Sequence, residues 1–233
     1  LEVVAQRFAS GDGLYEAVLE RNWASLTSGP LQNPLMHLAE GFLATLAVRE
    51  DASVQAALLA LATYFQAHPP RHSLIFAAVD HEEQGMHGSK QLFAGKLLEP
   101  KQLALNINLD MLSRGERANQ LYLYGAHSLP GVSDYLKAED FSVNLKLRHR
   151  GKGLRGQNRL DWANASDHAP FRRAGIPFLF FGVDNHPHYH TANDDWEHID
   201  PAYLQRMFES LSRIVFWLDK QPPEWYQAAR KTQ

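Results

Sequence analysis

The sequence predicts an α/β fold, a three-layer αβα sandwich with a mostly parallel, mixed central sheet, and three observations carry that expectation. Apolar runs of strand length at 74–79, 103–109 and 176–181 alternate with segments of helical periodicity. Two of these runs stop on carboxylates, Asp80-His81-Glu82-Glu83 after the first and Asp110 after the second. A length of 233 residues with 45% hydrophobic content fills one core and is short for two, so a single domain over 1–233 is expected.

The elements follow in order. Residues 2–8 and 15–20 alternate like strands, and Gly11-Asp12-Gly13 between them suits a hairpin because Asp-Gly tolerates positive φ. A loop rich in Ser, Gly, Pro and Asn leads to Pro34, and the dense apolar stretch 35–48 is read as a helix, although an extended buried segment fits it too. The helix expected over 51–66 is better marked, with Val54, Ala57, Leu58, Leu61, Ala62 and Phe65 on one face, Asp51 or Ser53 at its start and Pro69-Pro70 beyond its end. The run 74–79 reads as a strand buried on both faces. A helix over 85–97 should follow, with Met86, Leu92, Phe93 and Leu97 facing inward, and then the strand 103–109. Strands at 121–124 and 143–147 flank a helix near 133–139, and 148–160 is a basic, glycine-containing loop long enough to be a functional rim. Ser166-Asp167-His168 is expected to cap a short helix over 169–174 that Gly175 ends, ahead of the strand 176–181. The loop 182–199 carries His186, His188, His190 and His198, and an amphipathic helix over 201–218, with Pro201 in its first turn, closes the domain.

Composition narrows the chemistry. A net charge of −3 made of interspersed charges argues against nucleic acid or a membrane surface as partner. Cysteine is absent, so any metal is held by His, Asp and Glu. No apolar run approaches the roughly 20 residues of a membrane span. No secretory leader is recognised before Leu1, and one already removed leaves no trace.

Chemistry is expected where strands end, because in open α/β sheets the ligand crevice lies outside their carboxyl ends. The adjacent carboxylates Glu82 and Glu83 repel unless something positive compensates, and a metal ion bound by one of them, with the other free to carry a proton, is one solution. The acidic N-terminus of a helix is the other. A catalytic zinc needs about three protein ligands and an open position. Glu83, Asp110 and one histidine of the late loop meet that need, with Glu82 as the base.

Four blocks then match a known pattern: Val79-Asp80-His81-Glu82-Glu83-Gln84-Gly85-Met86-His87-Gly88-Ser89, Asn108-Leu109-Asp110-Met111, Ser166-Asp167-His168-Ala169-Pro170-Phe171 with Gly175-Ile176-Pro177, and Tyr189-His190-Thr191 with Asp194. In this order they resemble the co-catalytic zinc aminopeptidases, the family of bacterial leucyl aminopeptidase and aminopeptidase Y. The resemblance implies a zinc-exopeptidase fold and release of N-terminal residues from peptide substrates. It also implies Glu82 as general base, Glu83 and His190 on one zinc and Asp110 on the other. Periplasmic or secreted location is what it favours. Most of His81, His87, His127, His149 and His168 are read as surface or hydrogen-bonding residues, and His186 and His188 as rim residues, since only His190 sits in the matching block.

Three positions depart from the family. Its early His-x-Asp block reads Asn22-Trp23-Ala24 here, which removes an imidazole ligand and the carboxylate supporting it. His37 is a conceivable substitute, but nothing after it matches. The Asp that bridges both metals in the family falls at Glu50, one methylene longer, while zinc–oxygen distances stay near about 2.0–2.2 Å. Arg49 beside it adds positive charge. Glu50 or Asp51 with Glu83 and His190 is the one ligand set that keeps its carboxylates and imidazole, so one zinc or none is expected more readily than two. Beside aminopeptidase activity stand two alternatives, a non-catalytic binding relative and a one-zinc acyl-transfer enzyme resembling glutaminyl cyclases.

The dismantled subsite is testable by restoring it. Asn22→His, Ala24→Asp and Glu50→Asp together should raise zinc content after dialysis from at most one equivalent to two, whereas each single change should add little, because ligand, support and bridge act together. A starting protein that already holds two dialysis-resistant equivalents contradicts this alignment.

Overall fold

The computed structural model describes residues 4–8, 15–16, 52–148, 162–191, 193–194 and 196–231. Its strands are β1 (Val4–Phe8), β2 (Tyr15–Glu16), β3 (Ile75–Ala78), β4 (Asn106–Leu109), β5 (Gln120–Tyr124), β6 (Asn144–Arg148) and β7 (Phe178–Gly182). The helices are α1 (Ala52–Ala67), α2 (His87–Ala94), α3 (Val132–Ala138), α4 (His168–Arg173), α5 (Pro201–Asp219) and α6 (Pro223–Lys231). The central sheet runs β4-β7-β5-β6, with β4∥β7 and β5∥β6 parallel and β5 antiparallel to β7. It is therefore mixed and mostly parallel, as expected. β3 belongs to an antiparallel ribbon ordered β2-β1-β3.

Alternation along β7 shows the layers directly. Leu179 and Phe181 point into a large core shared with Ala57, Leu61 and Phe65 of α1, Val132 of α3 and Met207, Leu211 and Ile214 of α5. Phe178 and Phe180 point the other way, toward Tyr124, Ala163 and the half-buried Trp162. On that second side α2 and α4 pack through Leu92 and Phe171, with Ile176 between them. Helices thus cover both faces, and the near-continuous apolar reading of 176–181 reflects a strand with no solvent side.

The helix starts follow local chemistry. The Asp200 carboxylate accepts from the backbone N–H of Ala202 (2.8 Å) and Tyr203 (3.2 Å), and Pro201 occupies the first turn of α5. At its other end the buried Asp219 accepts from the N–H groups of Arg71 and His72, each at 2.8 Å, and so fixes the chain entering β3.

Several expectations are corrected. β3 is only partly buried, with Ile75 40% exposed, because it pairs antiparallel in the ribbon instead of lying inside the parallel sheet. α2 ends at Ala94, where Gly95 N–H takes up the carbonyl of Gln91 and Lys96 N–H that of Phe93, and Leu97 is 59% exposed beyond it. Asp167 stands at the N-cap of α4 without making a side-chain cap bond, since its carboxylate is taken by Ser89. α5 does not close the chain: α6 follows it, anchored by Trp225 Nε1 donating to Pro130 O at 2.7 Å. The expected helix at 35–48 and most of the loop 148–160 lie outside the described residues.

His168 is a hydrogen-bonding residue of the interior. Its ring is fully buried and stacks between Phe178 and Phe180, with centroids 4.8 and 4.7 Å away, while Nε2 donates to Trp162 O at 2.8 Å. Burial pushes its pKa down from 6.5 to about 4. Between those values the unfolded chain binds the extra proton, so stability is full above pH 6.5 and falls as pH drops toward 4. A loss of about 3 kcal/mol is expected from this group across that window, read by denaturant unfolding. His168→Gln should remove that share of the acid sensitivity, and an unchanged pH slope contradicts the assignment.

Candidate active site

The turn after β3 is built to present two glutamates. Its backbone closes on itself through Gly85 N to Glu82 O (2.9 Å), Met86 N to Glu82 O (2.8 Å), His87 N to His81 O (3.1 Å) and Gly88 N to Asp80 O (3.0 Å). His81 and Met86 both adopt φ near 59°, a left-handed conformation that ordinary residues take only when the surroundings impose it. Gly88 is required by space: a Cβ there would stand 2.5 Å from Asp80 O and 2.7 Å from Asp80 N.

β4 delivers Asp110 to the same region, hydrogen-bonded through its N–H to Phe181 O at 3.1 Å. A relay supports its side chain, in which Asn108 Nδ2 donates to Ser166 Oγ at 2.8 Å and Ser166 in turn bonds the Asp110 carboxylate. Ser89 donates to Asp167 at 2.5 Å, tying α2 to the start of α4. From the late loop comes His190, itself at φ 57°, whose Nε2 lies 2.6 Å from Glu83 Oε1. Tyr189 stacks on the His190 ring at 3.8 Å between centroids. Of the sequence candidates, then, Glu83 and His190 meet directly, and Asp110 lies close enough to Glu82 to raise its proton affinity. Glu50, Asn22, Ala24, His37 and Asp51 lie outside the described residues.

Charge is the dominant property of this crevice. Burial, then Asp110, Glu83 and Asp167, push Glu82 up to about 8. Burial raises Asp110 as well, with Glu83 adding to it and the Ser166 hydrogen bond opposing it. Asp167 rises to about 6 through burial, against the Ser89 bond and with a contribution from Asp110. A phenol facing the same charges, that of Tyr189, stays protonated for the same reasons: burial first, then Glu83, Asp110 and Glu82.

Such a group of oxygens with one imidazole suits a hard or borderline divalent cation. Glu83 and His190 already converge as a carboxylate–imidazole pair. Among the described residues no three His, Asp or Glu side chains are arranged as a finished ligand set. A third ligand is expected from Glu50 or Asp51, which are not described.

His186 and His188 hold the loop and lie off the cluster. His186 Nε2 lies 3.3 Å from Asp194 Oδ2, Arg114 NH1 lies 3.6 Å from the other Asp194 oxygen, and the His188 ring packs edge-on to His198. Asn108, Ser166, Ser89 and Tyr189 were not singled out from sequence as acting groups, although each stands inside a quoted block. Their position beside Glu83, Asp110, Asp167 and His190 in those blocks was the available signal.

Comparison with known proteins follows the same lines. The model of peptidase family M28 matches residues 39–215. Aminopeptidase YwaD of Bacillus subtilis (strain 168) is 28% identical over 176 residues, covering 72% of this chain and 36% of that protein. The crystal structure of BSAP, a zinc aminopeptidase from Bacillus subtilis, superposes with a TM-score of 0.56 at 25% identity over 75% of this chain and 43% of its own. An aminopeptidase from Aneurinibacillus sp. strain AM-1 gives 0.54 at 25% identity, over 71% and 38%. The chain thus spans between about a third and a half of the length of these relatives.

Proposed function

Because the chain belongs to peptidase family M28, we propose that it is a zinc-dependent aminopeptidase that hydrolyses the N-terminal peptide bond of its substrate. The observation that carries this reading is the meeting of Glu83 and His190 at 2.6 Å, from segments 107 residues apart, beside Glu82 and Asp110. Glu83 and His190 would hold the ion, completed by Glu50 or Asp51, with Asp110 on the neighbouring side. A bound zinc supplies Lewis-acid polarisation of the scissile carbonyl and a lowered pKa for water.

The protein's own groups do the remaining work. Glu82 is half-buried and ringed by carboxylates, so it holds a proton far more readily than an ordinary glutamate. Positive charge beside Glu83 draws that affinity back toward neutrality, the range in which one carboxylate both accepts a proton from water and returns it to a leaving amine. Asp110 is held in place by Ser166 and Asn108, so the oxygen facing the crevice keeps its direction. Tyr189 fixes the plane of the His190 ring.

A second reading, a binding relative without catalysis, is favoured by Asn22, Ala24 and Glu50, which remove one imidazole and lengthen the bridging carboxylate. Hydrolysis of leucine p-nitroanilide by zinc-loaded protein separates the two. Glu82→Gln keeps shape and removes the proton acceptor, so turnover is expected to fall by about 10²–10⁴-fold with zinc content unchanged. Absence of turnover in the native protein supports the binding reading, and unchanged turnover in Glu82→Gln overturns the role given to Glu82.

A further inference from the structure

Arg114 carries a positive charge largely inside the protein, with its side chain 11% exposed. Its backbone takes φ 69°, a left-handed conformation that a residue with a long side chain adopts only where the surroundings impose it. Met111, next to Asp110, is left-handed as well, at φ 51°. The bent segment brings the guanidinium beside Asp194, with NH1 3.6 Å from Asp194 Oδ1 and Nε 4.0 Å from Glu116 Oε1. His186 Nε2 faces the other Asp194 oxygen at 3.3 Å. Neither Arg114 Nε nor NH1 makes a closer bond to a described residue, so the guanidinium acts on these carboxylates as a charge.

Asp194 belongs to the loop that carries His190. That loop is a succession of tight turns: His186 O accepts from Tyr189 N–H (3.0 Å), His188 O from the N–H (3.0 Å) and hydroxyl (2.7 Å) of Thr191, and Thr191 O from Asp194 N–H (3.1 Å). Its start is tied down too, since Val183 N–H donates to Met111 O at 3.0 Å. The segment from Met111 to Arg114 therefore grips the loop twice, through Met111 at Val183 and through Arg114 at Asp194. His190 stands between these anchors, at φ 57° and with its side chain 52% exposed, and its Nε2 lies 2.6 Å from Glu83 Oε1. Turn hydrogen bonds at the surface hold such a residue weakly, because water competes for each of them. A largely buried ion pair holds more firmly, because separating it leaves a charge uncompensated. One short segment thus begins with Asp110 and, at its other end, fixes the loop of the imidazole that faces the same cluster.

We propose that Arg114 is a positioning residue: through Asp194 it holds the loop that presents His190 to Glu83, and so sets the affinity of that pair for a divalent cation. Its effect on the cation rests on the zinc reading of Glu83 and His190, whereas its hold on the loop does not.

Amide hydrogen exchange in metal-free protein reads the loop, and zinc Kd by calorimetry reads the pair. Arg114→Gln and the isosteric Asp194→Asn, at a side chain 27% exposed, should each speed exchange at Tyr189 and Thr191 by at least about tenfold while the amides of β7 keep their native rates. Each should weaken zinc binding by about 10–100-fold, the double variant should bind no worse than the weaker single one, and Arg114→Lys should recover part of the loss. Loop exchange unchanged in Asp194→Asn, acceleration spread equally over β7, zinc affinity unchanged in both single variants, or losses that add in the double variant overturn the proposal. If the native protein takes up no zinc, the zinc reading of Glu83 and His190 fails, and selective exchange of the loop then upholds or overturns the hold by Arg114.

Discussion

Glu82, Glu83, Asp110 and Asp167 crowd one crevice, and each ionised member raises the proton affinity of a neighbour. Desolvation is the larger cause at Glu82, Asp110 and Asp167, and the like charges add to it. A fold gains nothing in stability from such an arrangement. The local structure is built to hold it nonetheless, with two left-handed non-glycine residues in the turn after β3, a third at His190, and a glycine at 88 that no larger residue replaces. Strain and charge repulsion concentrated in one place are what a site for a cation requires before the cation arrives. His190 supplies the one imidazole that reaches the cluster among the described residues, and Glu83 is where it lands.

The scaffold explains why these segments meet. β4 and β7 are parallel neighbours, so Asp110 and the chain leaving Gly182 emerge at one edge of the sheet. Asp219 sets the entry to β3 and Asp200 starts α5, so α5 is pinned at both ends by carboxylates that cap or brace backbone N–H groups. The two apolar cores on either side of β7 then leave only strand ends and loops for chemistry, as in other open α/β sheets.

Much of this was legible in the sequence where a signal is local. The periodicity of Val54 to Phe65 and of Tyr203 to Leu218 marks α1 and α5, and the unbroken run at 176–181 marks β7. The meeting of Glu83 with His190 was legible because each lies in one of the four quoted blocks. What failed was tertiary. The end of α2 depends on Gly95 rather than on the apolar Leu97, and β3 is apolar without being enclosed. Asp167 looks like a cap until Ser89, 78 residues away, claims its carboxylate. The relay from Asn108 through Ser166 to Asp110 joins residues 58 apart, and no periodicity encodes such a pairing.

The central claim is that this carboxylate cluster is stabilised by a cation held through Glu83 and His190. Thermal unfolding in chelator against increasing zinc tests it most directly, because a ligand that binds only the folded state raises the midpoint by mass action. The account predicts a rise in midpoint that grows with zinc concentration in the native protein and is lost in Glu83→Gln. An unchanged midpoint in the native protein, or an equal rise in Glu83→Gln, contradicts it.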